Sequence, residues 1–303
     1  DSHTTMAGAL GCFAAGFGST DILAILATGL VFMTIPEAMK ITFKGTLPPD
    51  VKGKDLALTM MKHLGEGGGA YRALEFVDHT DGIPMADRMT LTNMAVDCGA
   101  KNGLFAPDSI TREYMRLRDK DAPGDFEEWV PGDDSAYGSH WVLDVTNLEP
   151  VVARPGSPAD VAPVSEASGE SVDQVFIGSC CGGRLEDLQD AAAVLRGRKV
   201  QAGLRMVVTP ASQKVYKEAV LDGTVQTLIE AGAMVTTSSC GACGGIDKGI
   251  LAEGEVCIST SNRNFRGRMG HPEARIYLSS ARTAAAAALV GRVVDPREIE
   301  EAP

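Results

Sequence analysis

Three cysteines carry the clearest chemistry in this chain of 303 residues. Cys180 closes the run Ile177-Gly178-Ser179-Cys180, and Cys240 and Cys243 bracket Gly241-Ala242. Two residues between cysteines let both thiolates turn toward one centre, and Gly241 with Gly244-Gly245 gives the backbone freedom to wrap around it. Four thiolates would close a zinc or iron-sulfur site. Three predict an open coordination position or one further ligand, for which His271 is a candidate. An iron left open in this way is a Lewis acid. A thioredoxin-like redox pair, or two buried structural cysteines, are the competing explanations of the same spacing. Cys181 adjoins Cys180, and successive side chains diverge along an extended segment. One of the two is therefore expected to ligate, the other to be buried or to act as a reactive thiol. Cys12, Cys98 and Cys257 stand alone in apolar or mixed contexts and read as ordinary buried thiols.

A second constellation lies downstream. The run Ser259 to Arg268 holds three guanidinium groups, Arg263, Arg266 and Arg268, among hydroxyl and amide side chains. Such a set suits bidentate clamping of carboxylates, although a solvated basic loop has the same composition. The formal net charge of -12 and the pI near 4.9 argue against a nucleic-acid backbone as the main partner. Arginines concentrated close to a thiolate set in an acidic chain point instead to a small anionic substrate. The glycine-rich stretches Gly65 to Gly69 and Gly178 to Gly183 lack the Lys and Ser/Thr of a phosphate-binding loop. Seven cysteines form an odd number without regular spacing, which favours a reducing, cytoplasmic compartment. No apolar stretch approaches the ~20 residues that span a bilayer, the longest, Ile22 to Met33, being interrupted at Thr28-Gly29. The absence of a leader pattern before Asp1 suggests a fragment or a processed product.

The elements that must hold these groups alternate. Ser19-Thr20-Asp21 is expected to cap a buried helix over Ile22 to Leu30, and Lys40 to Gly45 reads as a strand. A helix over Gly53 to Leu64, a strand over Ala73 to Val77 and a helix over Met85 to Gly99 follow. In the last, Asn93 and Asp97 share one face, either as a site or as an exposed polar stripe. From Arg112 to Ser171 the chain turns rich in Pro, Asp, Gly and Ser, an irregular segment or linker with a brief strand at Trp141 to Val145. Thereafter strands at Val175 to Gly178, Leu204 to Val208 and Met234 to Thr237 alternate with helices at Leu185 to Leu195, Ser212 to Asp222 and Thr224 to Ala231. Strands separated by helices imply parallel pairing. Both cysteine motifs then fall at carboxyl ends of strands, where open α/β sheets place their ligands.

Five runs resemble the aconitase superfamily, most closely the large subunits of isopropylmalate isomerases and homoaconitases. They are Asp1-Ser2-His3-Thr4, Asn93 to Ala100, Gly178-Ser179-Cys180 with Gly183-Arg184, Cys240 to Cys243, and Ser261 to Arg268. They occur in family order across nearly the whole chain. The resemblance implies an α/β fold of aconitase-like three-layer α/β/α domains with mainly parallel sheets. It divides the chain into 1–35, a remnant of a first domain, 36–157, a second with an irregular linker, and 158–303, a third carrying the cluster cysteines. It further implies a hydro-lyase that isomerises a hydroxy di- or tricarboxylic acid by dehydration and rehydration. The favoured activity is 3-isopropylmalate dehydratase, of leucine biosynthesis, with a homoaconitase, a dimethylmalate-type dehydratase or a non-catalytic cluster-binding protein as alternatives.

Carried over by position, Cys180, Cys240 and Cys243 hold a 4Fe-4S cluster. Asp1, His3 and Asp97 are catalytic, and Ser2, Asn93, Asn262, Arg263 and Arg268 bind substrate. Asp97 stands where relatives carry Glu, one methylene longer, and Cys181-Gly182 replaces a Thr-Asn pair. The proton-abstracting base belongs to a swivelling domain, in two-subunit members a small partner protein, so a small subunit is the expected partner. Relatives also carry a further segment before the Asp-Ser-His run, and little activity is expected of this chain alone.

Overall fold

The computed structural model describes residues 1–118, 124, 130–132 and 136–299. In chain order its α-helices and strands are α1 (Ser19–Thr28), β1 (Ala38–Lys44), α2 (Gly53–Leu64), β2 (Ala73–His79), α3 (Met85–Met94), β3 (Asn102–Phe105), α4 (Ser109–Arg116), β4 (Ser139–Asp144), β5 (Val151–Ala153), β6 (Val161–Pro163), α5 (Val164–Ala167), β7 (Gln174–Ile177), α6 (Leu185–Leu195), β8 (Arg205–Val208), α7 (Gln213–Leu221), α8 (Thr224–Ala231), β9 (Met234–Val235), β10 (Val256–Ser259), β11 (Arg275–Leu278) and α9 (Ala281–Val290). They fall into two compact units, one of residues 1–47 and 64–147, the other of 48–63 and 148–303.

The first unit is built on a four-stranded parallel sheet in the order β3-β2-β1-β4. Alternation along β1 sends Ile41 and Phe43 to full burial. The rings of Phe43, Phe76 and Phe105 continue across three adjacent strands, with centroids 6.1 and 5.2 Å apart. A 3-10 helix over Ser2–Leu10 packs on α3. Two threonines lock it there: Thr5 Oγ1 donates to the Asn93 carbonyl at 3.2 Å, and Thr92 Oγ1 donates to the Met6 carbonyl at 3.1 Å. The Asp-Ser-His run is thereby fixed against the helix that carries Asn93.

The second unit holds a seven-stranded sheet in the order β6-β5-β11-β10-β7-β8-β9. Its five strands from β11 to β9 are parallel, and β5 and β6 add an antiparallel edge. Val175, Ile177, Val208 and Ile258 form the buried core with Leu188, Ala191 and Leu195 of α6. Ala284, Ala285, Ala287 and Ala288 of α9 join it, small side chains that let the helix approach closely. The chain runs outward from β7 through β8 to β9, then returns to the other side of β7 as β10 and continues to β11. Strand order therefore reverses between β7 and β10, the crevice where open α/β sheets bind ligands.

Several expectations needed correction. The helix predicted over Ile22 to Leu30 forms as α1, but none of its residues is buried, and Leu23 and Leu26 are 67% and 80% exposed. Apolarity dictated a buried face that none of the described residues covers. Its first turn is closed by Asp21, whose Oδ2 accepts from Gly18 N at 3.3 Å. The helix expected over Met85 to Gly99 ends at Met94 and tightens into a 3-10 turn, Ala95–Cys98, closed by left-handed Gly99. Cys12 is exposed rather than buried, just past the left-handed Gly11 that ends the first 3-10 helix. Within the irregular segment, residues 119–123, 125–129 and 133–135 lie outside the described residues. Among those described, no helix is long and apolar enough to cross a membrane.

Candidate functional site

In the second unit the switch point gathers the sequence's two constellations. Cys180 lies three residues beyond β7, and Asn262 lies three beyond β10. These strands are neighbours, with Phe176 paired to Ser259, and Thr260 N donates to the Phe176 carbonyl at 3.0 Å. Cys180 is delivered on a strained turn: Ser179 sits at φ 70, a left-handed conformation that costs a non-glycine residue on the order of 1 kcal/mol or more. Cys240 is the N-cap of a 3-10 turn, Gly241–Gly244, and Cys243 N donates back to the Cys240 carbonyl at 3.2 Å.

Asn262, 1% exposed, is the hub. Its Oδ1 accepts from Ser179 Oγ at 3.4 Å, from the Cys180 thiol at 3.8 Å and from the Cys243 thiol at 4.0 Å. Arg268 Nη2 lies 3.8 Å from Cys243 Sγ. Arg263 is partly buried on the same loop. The structure thus brings Cys180, Cys243, Asn262 and Arg268 together, with Cys240 at the other end of the Cys243 turn.

Cys181 points elsewhere. Its thiol donates to the Thr260 carbonyl at 3.2 Å and accepts from Lys54 Nζ at 3.0 Å. Burial pushes this thiol above its ordinary range, against the lowering pull of the Lys54 charge. A neutral thiol with its hydrogen already committed is a poor ligand, and Cys180, exposed and directed at Asn262 Oδ1, is the outward-turned member of the pair. His271 is exposed, and its Nδ1 accepts from Glu273 N at 3.2 Å. Sequence reasoning did not single out Lys54. Its only signal was a cation in the first turn of a helix, where the dipole disfavours one.

The donor set can be tested against candidate metals. Among the described residues no three of His, Cys, Asp and Glu stand close enough to hold a single ion. Two thiols on one amide oxygen, a third cysteine three residues from one of them and a guanidinium against one sulfur are a donor set whose chemistry fits a thiolate-held iron-sulfur cluster. The amide orientation follows the thiol form, in which S–H groups donate to Oδ1. Thiolates are acceptors, and a flipped Asn262 would offer them its NH2 group instead.

In the first unit, Asp1 Oδ1 caps the 3-10 helix by accepting from His3 N at 2.7 Å. His3 Nε2 lies 3.4 Å from Asp97 Oδ2, close enough for charge attraction but without hydrogen-bond alignment. Both side chains are screened from solvent, His3 at 9% and Asp97 at 1%. Ser2 Oγ is 3.2 Å from His3 Nδ1. Asn93 is fully buried. The pair read from sequence as a site or an exposed stripe is therefore neither on the surface nor a stripe. Asp97 turns with the 3-10 segment toward His3, and its charge, after burial, raises the Cys98 thiol beside it.

A parallel sheet with thiolates and arginines at its switch point defines a class, and it agrees with the match of a family model, the aconitase family (aconitate hydratase), to residues 1–171 and 165–291. The chain belongs to the aconitase family. Within it, the chain is 46% identical over 299 residues to the 3-isopropylmalate dehydratase large subunit 2 of Archaeoglobus fulgidus, covering 98% of this chain and 71% of that one. It is equally similar, 46% over 308 residues, to the 3-isopropylmalate dehydratase large subunit of Aquifex aeolicus, covering all of this chain and 71% of that one. The homoaconitase large subunit of Thermus thermophilus is also 46% identical, over 304 residues, 99% of this chain and 71% of that one. Among solved structures, the holo form of aconitase X from Thermococcus kodakaraensis matches with a TM-score of 0.47 at 12% identity, over 79% of this chain and 53% of that one.

Proposed function

We propose that this chain is the large subunit of a hydro-lyase that isomerises 3-isopropylmalate by removing and restoring water. The observation that carries this reading is the shared contact of the Cys180 and Cys243 thiols with Asn262 Oδ1, beside Arg268, at the switch point of a parallel sheet. Cys180, Cys240 and Cys243 would hold a 4Fe-4S cluster. When bound, that cluster supplies a Lewis acid that makes hydroxide a feasible leaving group.

The chain's own residues do the rest. Arg263 and Arg268 present fixed positive charge on one short loop, suited to hold the carboxylates of a malate-like substrate and to neutralise the charge that builds up next to them during proton abstraction. Asn262 holds the thiolates in register and donates a neutral hydrogen bond. His3, whose Nε2 lies 3.4 Å from Asp97 Oδ2, is the side chain placed to carry a proton. Asp1 and Ser2 set the backbone and ring position of His3. Asn93 is buried on α3 and contributes a neutral amide to the substrate's surroundings. A small subunit would bring the proton-abstracting base, and the substrate's side-chain selectivity would lie mainly there, because these residues read only the shared hydroxy-diacid part.

The relatives include a homoaconitase large subunit, so homocitrate-type acids form the second reading. The test is anaerobic reconstitution of the full-length large subunit with iron and sulfide, mixed with an isopropylmalate-dehydratase small subunit. Alkene absorbance is followed with 3-isopropylmalate, homocitrate, citrate and 2,3-dimethylmalate. The expected result is turnover of 3-isopropylmalate in preference to the others. A chain that holds its cluster yet turns over none of the four defeats the enzyme reading, and preference for homocitrate selects the second.

A further inference from the structure

We propose that Lys54 is a positioning residue of this site, a buried cation that ties the loop carrying Cys180 to the loop carrying Asn262 and Arg263. The proposal rests on reading Cys180, Cys240 and Cys243 as the cluster ligands. Lys54 lies in the first turn of α2 and is 4% exposed. Each of these facts is unfavourable by itself. A cation at a helix N-terminus opposes the dipole, burying an ammonium costs several kcal/mol before compensation, and a lysine stem ordinarily reaches out to water. An apolar side chain of the same length would fill the space at lower cost, so packing alone does not account for a lysine here.

Its contacts do. Nζ donates to Cys181 Sγ at 3.0 Å and to the Ser261 carbonyl at 2.9 Å. Cys181 directly follows Cys180, and Ser261 directly precedes Asn262. Cys181 Sγ also donates to the Thr260 carbonyl, so ammonium, sulfur and the backbone after β10 form one buried chain of polar contacts. The helix end that presents Lys54 is itself pinned. Asp55 accepts from Lys52 N at 2.9 Å through Oδ2 and from Val151 N at 3.0 Å through Oδ1. Lys54 is thus 127 and 207 residues away in sequence from the two loops it joins. It touches neither a proposed ligand sulfur nor a substrate-binding guanidinium through these bonds. Its action is to fix the separation between the first thiolate and the amide and arginines that face it.

The test compares the chain with its Lys54→Met variant by two readouts. The first needs no cluster: native-state alkylation by iodoacetamide, resolved by peptide mapping. Loss of charged hydrogen bonds should raise local opening around Cys181 by about tenfold or more, while Cys257, fully buried in β10, keeps its rate and reports global unfolding. The second is the rate at which reconstituted cluster absorption decays under a chelator, expected to rise by about the same factor. Lys54→Gln, which keeps an NH2 donor but loses the charge, should fall between the two and serves if the methionine variant does not fold. Equal acceleration at Cys181 and Cys257, or none at either, overturns the proposal by making Lys54 an ordinary stability residue. So does accelerated Cys181 labelling with unchanged cluster decay. If the unaltered chain takes up no cluster, the ligand reading fails separately, and the alkylation contrast still decides whether Lys54 ties the loops.

Discussion

Asn262→Asp replaces the neutral hub of the site by a carboxylate of nearly identical shape, which isolates charge from geometry. Asn262 Oδ1 stands 3.8 Å from Cys180 Sγ and 4.0 Å from Cys243 Sγ. Two full negative charges at that separation repel by about 4 kcal/mol at an effective dielectric of 20. Iron withdraws most of the charge from a bound thiolate, and a quarter of it remaining on each sulfur leaves about 1 kcal/mol per contact, or about 2 kcal/mol for both. That corresponds to weaker cluster retention by about tenfold to thirtyfold. The assay is decay of the cluster's visible absorption under a fixed chelator concentration, run anaerobically and at low salt beside Asn262→Ala. The alanine variant loses the amide hydrogen bonds but adds no charge, so it should decay more slowly than the aspartate variant. Asn262→Asp holding its cluster as long as the unaltered chain would refute the reasoning, and equal decay of the two variants would show that only the lost amide matters.

Cys240→Ser should abolish the cluster's absorption, whereas Cys181→Ser, whose hydroxyl can still accept from Lys54, should keep it; iron and sulfide analysis after reconstitution separates the two. Gly182→Ala should destabilise the second unit by about 1–3 kcal/mol, visible as a lower urea midpoint, because its Cβ would stand 2.4 Å from Thr260 Cβ and 2.7 Å from Thr260 O. Gly16→Ala would place a Cβ 2.5 Å from Asp1 O and 2.8 Å from Ser2 Cα, and the displaced Asp-Ser-His run should cut kcat by about a hundredfold in the small-subunit assay, with little change in cluster content. Burial alone would raise the Asp295 carboxyl, but hydrogen bonds from the Arg297 side chain and N–H outweigh it and hold it below the usual aspartate range. Its stabilisation is present above the unfolded pKa of about 3.9 and is lost as pH falls through the depressed folded value. Asp295→Asn should therefore lower stability at neutral pH and leave less to lose below about pH 4, checked by urea midpoints across pH.

The helices α2, α6 and α8 were legible to the residue in sequence, because periodic apolar positions and flanking Gly, Ser or Thr mark their ends locally. Cys180, Cys240, Cys243 and the arginine run could be singled out as candidates for a similar reason, since residue type and short spacing limit what such groups can do. Strands β10 and β11, which flank the site, were not. They are four residues each, and short apolar runs carry no period of their own. Burial misled where it depends on what covers a face, as in α1. The irregular reading of Arg112 to Ser171 overlooked α4, β5, β6 and α5, short elements that tertiary pairing and packing sustain.

Sequence by itself determined the donor types, the family runs and the acidic background against which a few arginines stand out. Tertiary structure decided which of two adjacent cysteines turns toward Asn262, that Asp97 meets His3 rather than solvent, and that Lys54 closes the gap between two loops. The first and third of these depend on the strand order of the second unit. Only when β10 returns beside β7 does Asn262 meet Cys180, 82 positions earlier in the chain, and no local pattern encodes that return.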